Sequence, residues 1–153
     1  MESCGYALPG SGEHDPRMDI SAKYDTLKSM IKTVAIIGAS NDRSKYGNKA
    51  VRAFRQQGFI VYPVHPKDLR VENIPAYRSI LDVPGRPTKI SVYVPPSVVL
   101  KLLPDIASKG CEEFWLNPGS ESPEVMVEAE RLGLNVIQAC SIVAIGQDPH
   151  QMD

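Results

Sequence analysis

The chain is short of cysteines, long apolar runs and net charge, and each shortage removes a class of protein. Its three cysteines, Cys4, Cys111 and Cys140, are odd in number and widely scattered. They make neither a disulfide framework nor a paired metal motif. No apolar run approaches the roughly 20 residues that span a bilayer. The first residues, Met1-Glu-Ser-Cys-Gly-Tyr6, have neither the basic start nor the apolar core of a secretion signal. The expected location is therefore a reducing cytoplasm. With 17 basic and 18 acidic residues the net charge is −1, which offers no electrostatic case for nucleic acid or an anionic membrane. No His-x-x-x-His pair or carboxylate cluster supports a metal, and no Gly-x-Ser-x-Gly elbow supports a serine hydrolase.

What is present is an alternation of apolar strands and amphipathic helices in 153 residues, a length that fits one domain with a single core. Residues 1–20 are rich in turn formers and predict a flexible N-terminal tail. The domain proper is expected over 21–146, with a C-terminal tail at 147–153. A short helix is predicted from Ser21 to Met30. Strands are predicted at Thr33–Gly38, Phe59–Val64, Lys89–Val94, Glu112–Leu116 and Leu134–Gln138. Helices are predicted at Gly47–Gln57, Ala76–Val83, from Pro95-Pro96 onward with a kink or break at Pro104, and at Pro123–Leu132. This spacing implies a parallel sheet covered by helices on both faces. The expected fold is a Rossmann-like three-layer α/β/α domain with five parallel strands in the order 3-2-1-4-5.

Such sheets bind ligands where the carboxyl ends of the strands meet a reversal of strand order. The first loop, Gly38 to Gly47, joins a buried strand to a helix start whose free N–H groups and positive dipole end suit an anion. A dinucleotide site needs G-x-G-x-x-G and an acid at the end of strand two. Here that strand ends Val-Tyr-Pro-Val-His-Pro-Lys67, with a base in place of the acid. The pattern disfavours NAD and favours a ligand richer in phosphate, either NADP or coenzyme A.

Five segments occur in a telling order: Val34-Ala-Ile-Ile-Gly-Ala-Ser40, Val61-Tyr-Pro-Val-His-Pro-Lys67, Ser91-Val-Tyr-Val-Pro-Pro96, Trp115-Leu-Asn-Pro-Gly-Ser120 and Gln138-Ala-Cys140. In this the chain resembles the stand-alone CoA-binding domain proteins, a family similar to the N-terminal domain of the succinyl-CoA synthetase α subunit. The resemblance spans about Ser21 to Gly146. It implies that Gly38, Ala39, Ser40, Asn41, Arg43, Ser44, Lys45, Tyr46 and Gly47 cradle the CoA phosphates, and that Lys67 meets a further phosphate. It also implies that Val94, Pro95 and Pro96 flank the adenine or pantetheine, with Leu116, Asn117 and Pro118 on the other wall. Many members continue after the cysteine with a Met-Val-Glu-His-like run. This chain reads Cys140-Ser-Ile-Val-Ala-Ile-Gly146, so no role of that polar pair carries over. No second domain with the phosphorylated histidine of the synthetase is expected within these residues, so thioester synthesis by that route is not expected of this chain alone.

The main reading is a small-molecule nucleotide-binding module for CoA or acyl-CoA without catalysis of its own, with a homodimer left open. A second reading is a small enzyme using the same crevice, for which Cys140 and His65 are the candidate participants. A third is an NAD(P)-binding regulator, disfavoured as a direct repressor because no helix-turn-helix or basic stripe precedes the domain. Cys111, Tyr93 and Trp115 read as core, and His14 and His150 as tail residues without a role.

Overall fold

The computed structural model describes residues 20, 22, 23 and 30–152. The chain forms two compact units, Met1–Ile31 and Lys32–Asp153. In the first, residues 20, 22, 23 and 30 are helical. The rest of the expected tail and helix, with Cys4 and His14, lies outside the described residues.

The second unit runs β1 (Thr33–Ile37), α1 (Tyr46–Gln56), β2 (Ile60–Val64), β3 (Arg70–Val71), β4 (Ile74–Pro75), β5 (Lys89–Val92), α2 (Pro96–Lys109), β6 (Glu113–Leu116), α3 (Pro123–Arg131), β7 (Val136–Gln138) and α4 (Ser141–Ala144). Five strands form one parallel sheet in the order β2-β1-β5-β6-β7. The expected three-layer α/β/α architecture is present.

Alternation along β1 divides the core. Ala35 and Ile37 join Ile90, Val92, Phe114 and Leu116 under α2 and α3. Val34 and Ile36 join Ala50, Val51, Ala53 and Phe54 of α1 on the opposite face. A strand buried on both faces needs a continuous apolar run, which is what Val34–Ile37 supplies. Phe54 is fully buried and meets Phe59 edge to face, centroids 4.9 Å apart. Its burial contributes roughly 2–3 kcal/mol, enough to anchor α1 on the sheet.

The strand order corrects the 3-2-1-4-5 expectation. Counting only the sheet strands it is 2-1-3-4-5, because Lys89–Val92 pairs with β1 (Val34↔Lys89 to Ile37↔Val92) instead of lying outside β2. The reason is Pro63. Its carbonyl points outward and accepts from Tyr77 N at 2.8 Å, so its nitrogen faces the same edge and has no proton to offer another strand. Proline belongs on an edge strand. The edge is closed instead by a single bridge, Val64↔Tyr77.

Two local expectations also change. The helix expected at Ala76–Val83 is only a 3-10 turn, Ile80–Asp82, whose amide Leu81 N donates to Ser79 Oγ. Before it stands the unpredicted β3–β4 hairpin, turned on Glu72 and Asn73 at φ 50° and 64°. Helix α2 runs unbroken through Pro104. That residue faces solvent, where water can take the carbonyl it leaves free.

Candidate functional site

With this order, the strand sequence reverses between β1 and β5. Helix α1 departs from one side of that gap to one face, and α2 from the other side to the opposite face, which opens a crevice at the strand carboxyl ends. A cavity of about 650 Å³ lies there, within the range of small-molecule sites.

Two glycines set its floor. Gly38 ends β1 at φ +91°, and a β-carbon on it would stand 3.0 Å from Tyr93 O and from Val94 Cγ1. Gly47, in the first turn of α1, would bring a β-carbon to 2.0 Å from Gly38 O. The helix start is therefore seated directly on the strand end, closer than any side chain permits. Lys45 is the N-cap of α1, supplies no side-chain cap, and no acid occupies the first turn. The amides of Tyr46 and Gly47 have no acceptor among the described residues. At α2, Pro95 is the N-cap, without a side-chain cap or a first-turn acid. Helix α3 differs: Ser122 Oγ accepts from Val125 N at 3.1 Å and Glu124 occupies its first turn. Helix starts beside the cavity are open to an anion, whereas α3 is already satisfied.

A buried polar network holds the far wall. The Asn117 side chain, 1% exposed, donates from Nδ2 to Ser91 Oγ (2.7 Å) and Val92 O (2.9 Å). Its Oδ1 accepts from Ser141 N at 2.8 Å. Ser141 Oγ in turn lies 2.8 Å from Ser91 Oγ and 2.9 Å from Tyr93 Oη. Ser120 Oγ donates to Val94 O at 2.7 Å. These bonds tie β5, the loop after β6 and the start of α4 into one piece. Burial, opposed by the hydrogen bond with Ser141, pushes the Tyr93 phenol up to about 12.

Of the residues singled out from sequence, Gly38, Lys45, Tyr46, Gly47, Val94, Pro95, Asn117, Pro118 and Cys140 line the cavity. Ala39 and Leu116 are buried in the two cores instead, and Pro96 opens α2. The tip of the first loop is turned to the β3–β4 hairpin. Asn41 Nδ2 donates to Asp68 Oδ2 and Arg70 O, and its Oδ1 accepts from Glu72 N. Arg43 Nε lies 4.0 Å from a Glu72 carboxylate oxygen. Ser40 Oγ accepts from Asp42 N, and Ser44 donates from N and Oγ to Asp42 Oδ1. The hydrogen bonds from Ser44 hold the Asp42 carboxyl below its usual range.

His65 and Lys67 also lie outside the cavity lining. His65 Nδ1 accepts from Lys67 N at 3.0 Å and Asp68 N at 2.8 Å, so the imidazole caps the turn that presents the exposed Lys67. The buried Cys111 thiol is pushed up to about 11, chiefly by desolvation. Among the described residues no group of His, Cys, Asp and Glu could hold a metal ion, and no helix is long and apolar enough to cross a membrane.

Sequence reasoning brings the loops Tyr93–Ser97 and Leu116–Ser120 and the segment Ala139–Gly146 to this rim without naming Tyr93, Gly119, Ser120 or Val143 as contacts, and it misses Pro149 and His150; all six line the cavity. Ser120 was within reach as part of the Asn-Pro-Gly-Ser turn. No local signal marks Pro149 and His150, which belong to a 3-10 turn packed onto the domain.

The chain has recognisable relatives. An ADP-forming acetate–CoA ligase II of Archaeoglobus fulgidus is 33% identical over 119 residues, covering 75% of this chain and 18% of the ligase. The chain thus spans less than a fifth of that relative's length. A solved structure of a conserved hypothetical protein from Pyrococcus furiosus superposes with a TM-score of 0.69 at 31% identity. It covers 74% of this chain and 99% of that one. A dinucleotide-forming acetyl-coenzyme A synthetase of Ca. Korarchaeum cryptofilum shares the fold alone, with a TM-score of 0.62 at 24% identity over 74% of this chain and 27% of that one. The family model described as CoA binding domain matches residues 32–146, most of the compact unit, and the chain belongs to that family.

Proposed function

We propose that the domain binds coenzyme A or an acyl-CoA in the crevice between β1 and β5, without chemistry of its own. One observation carries the reading: an uncapped, acid-free start of α1, seated on Gly38 and flanked by Lys45, opens onto a cavity of about 650 Å³ in a member of a CoA-binding family. The free amides of Tyr46 and Gly47 and the Lys45 ammonium suit the pyrophosphate. Val94 and Pro95 offer an apolar wall to the adenine or pantetheine. Lys67, on its His65-capped turn, is the partner for the ribose phosphate. The polar side chains of the far wall, Asn117, Ser141 and Tyr93, are bonded to one another, which supports a binding role over an acid–base one.

Calorimetric titration tests this reading. Wild-type protein should bind CoA, and Lys67→Ala should weaken CoA more than dephospho-CoA. Equal losses for both would move Lys67 off the ribose phosphate. The absence of both heat and a rise in Tm at millimolar CoA would sink the proposal, since ligand at a hundred times Kd should stabilise by about 2.7 kcal/mol.

Cys140 supports the enzyme reading to the extent that it lines the same cavity. A CoA-thioester conversion abolished in Cys140→Ser, with the fold and CoA affinity intact, would favour it.

A further inference from the structure

The family match ends at residue 146, but the cavity does not: Pro149 and His150 are part of its lining. The turn that carries them is built into the domain. Gln147 N donates to Ile142 O at 3.1 Å, Pro149 is buried, and Met152 packs on the core cluster of α1 and β1. Asp148 Oδ1 accepts from His150 N at 2.9 Å. Lys49 is a further anchor. It keeps only 6% of its exposure and donates from Nζ to Pro149 O at 3.1 Å. A desolvated ammonium needs acceptors, and removing one is costly, so this bond holds the turn in place from the opposite end of the domain sequence.

The same lysine locates the turn within the site. Lys49 Nζ stands 5.3 Å from the centroid of the Tyr46 ring, and Tyr46 also lines the cavity. The run Tyr46, Lys49, Pro149 therefore puts His150 on the side of the cavity where the free amides of α1 emerge. Among the described residues no hydrogen bond or ion pair engages the imidazole itself, and His150 is exposed. An imidazole has an N–H to donate whether neutral or charged.

We propose that the turn Asp148–Met152 is a ligand-contacting wall of the crevice, added by this chain beyond the family domain, and that His150 donates a hydrogen bond to a phosphate of the bound ligand. This rests on the CoA reading of the site. His150 is then a specificity residue for the phosphate-bearing part of the ligand, and Lys49 is a positioning residue that acts through Pro149.

The test is calorimetric titration of CoA into wild type, His150→Ala, His150→Gln, Lys49→Met and a chain ending at Gln147, with Tm recorded for each. His150→Ala should bind CoA about five- to tenfold more weakly at unchanged Tm, the size of one partly exposed charge-assisted bond. His150→Gln, which keeps an N–H donor, should recover most of that loss. The shortened chain should lose at least as much as His150→Ala, and Lys49→Met should lose affinity although His150 is present. Wild-type affinity in His150→Ala would overturn the proposal while leaving the CoA reading standing. No binding by wild type would remove both. If the shortened chain fails to fold, the His150→Ala and His150→Gln pair decides alone.

Discussion

Gly47→Ala separates helix propensity from tertiary fit, and the two act in opposite directions. Gly47 sits in the first turn of α1, where alanine would gain about 1 kcal/mol of helix propensity. The new β-carbon would lie 2.0 Å from Gly38 O. Carbon and carbonyl oxygen rest at about 3.3 Å, so the helix start must retreat by about 1.3 Å. Both partners are backbone and neither can swing aside. Ala50, Val51 and Phe54 hold α1 against the sheet one turn later. Overpacking costs about 1–3 kcal/mol, and a backbone contact this short belongs at the upper end. The net loss after the propensity gain is about 2 kcal/mol, or about 8 °C in Tm for a domain of this size. The amides of Tyr46 and Gly47 retreat with the helix, out of the roughly 2.9 Å range of a hydrogen bond. CoA affinity should then fall more than tenfold. Thermal unfolding and calorimetric titration read the two effects separately. Gly58→Ala is the control: φ is +88° with nothing within 4 Å of the new carbon. It should lose about 1 kcal/mol to strain and no CoA affinity. A Gly47→Ala protein with a raised Tm and undiminished CoA affinity would refute the seating of α1 on the strand end.

Asn117→Ala should destabilise by about 1–3 kcal/mol in urea unfolding, because it strands Ser141 N in the interior and leaves Val92 O only the Ser120 hydroxyl at 3.2 Å; a loss under 1 kcal/mol would mean that the network does not hold the wall. A thiol reagent at pH 8 should label Cys140, which is partly exposed at the cavity, well before Cys111, whose thiol is pushed up to about 11; peptide mapping after a timed pulse reads the order, and Cys111 labelled first would contradict its burial. The Tyr93 phenol holds its proton to about 12 in the folded state against 10.0 as its ordinary value. The folded state therefore binds the proton more tightly, and its contribution is complete below pH 10 and lost as pH rises towards 12. The expected loss is on the order of 2 kcal/mol, visible as a slope in urea stability over that window that Tyr93→Phe abolishes; an equal slope in the variant would assign it to another group.

The parts of this molecule that were legible in sequence are those set by local chemistry. The run Val34–Ile37 could only be a strand buried on both faces, and the loop between Gly38 and Gly47 had to bend a strand into a helix. Features that depend on distant partners were hidden. The β3–β4 hairpin turns on Glu72 and Asn73 at positive φ, without the glycine that usually advertises such a turn. Asn117 occupies a turn-forming Asn-Pro-Gly, yet its amide is spent on Ser91, Val92 and Ser141, which no spacing rule reveals. The C-terminal turn is short and polar, and its anchor, Lys49, lies 100 residues away.

The strand order shows why the crevice could be located although its neighbours were misplaced. Every parallel order of these strands sends all the loops to the same carboxyl-end rim, so the rim follows from the alternation of strand and helix alone. Which loops touch follows from the order, and the order follows from an edge. Pro63 carries that information: a residue without an N–H in the outward-facing register makes β2 terminal, which leaves the other side of β1 to β5. Tyr93 and Val94 are thereby brought to within 3.0 Å of where a Gly38 side chain would begin. In the 3-2-1-4-5 order that place would belong to the loop after β6, and Gly38 would face Asn117 and Pro118 instead. The close quarters at position 38, which add to the demand for glycine that φ +91° already makes, are thus a consequence of one proline in a neighbouring strand.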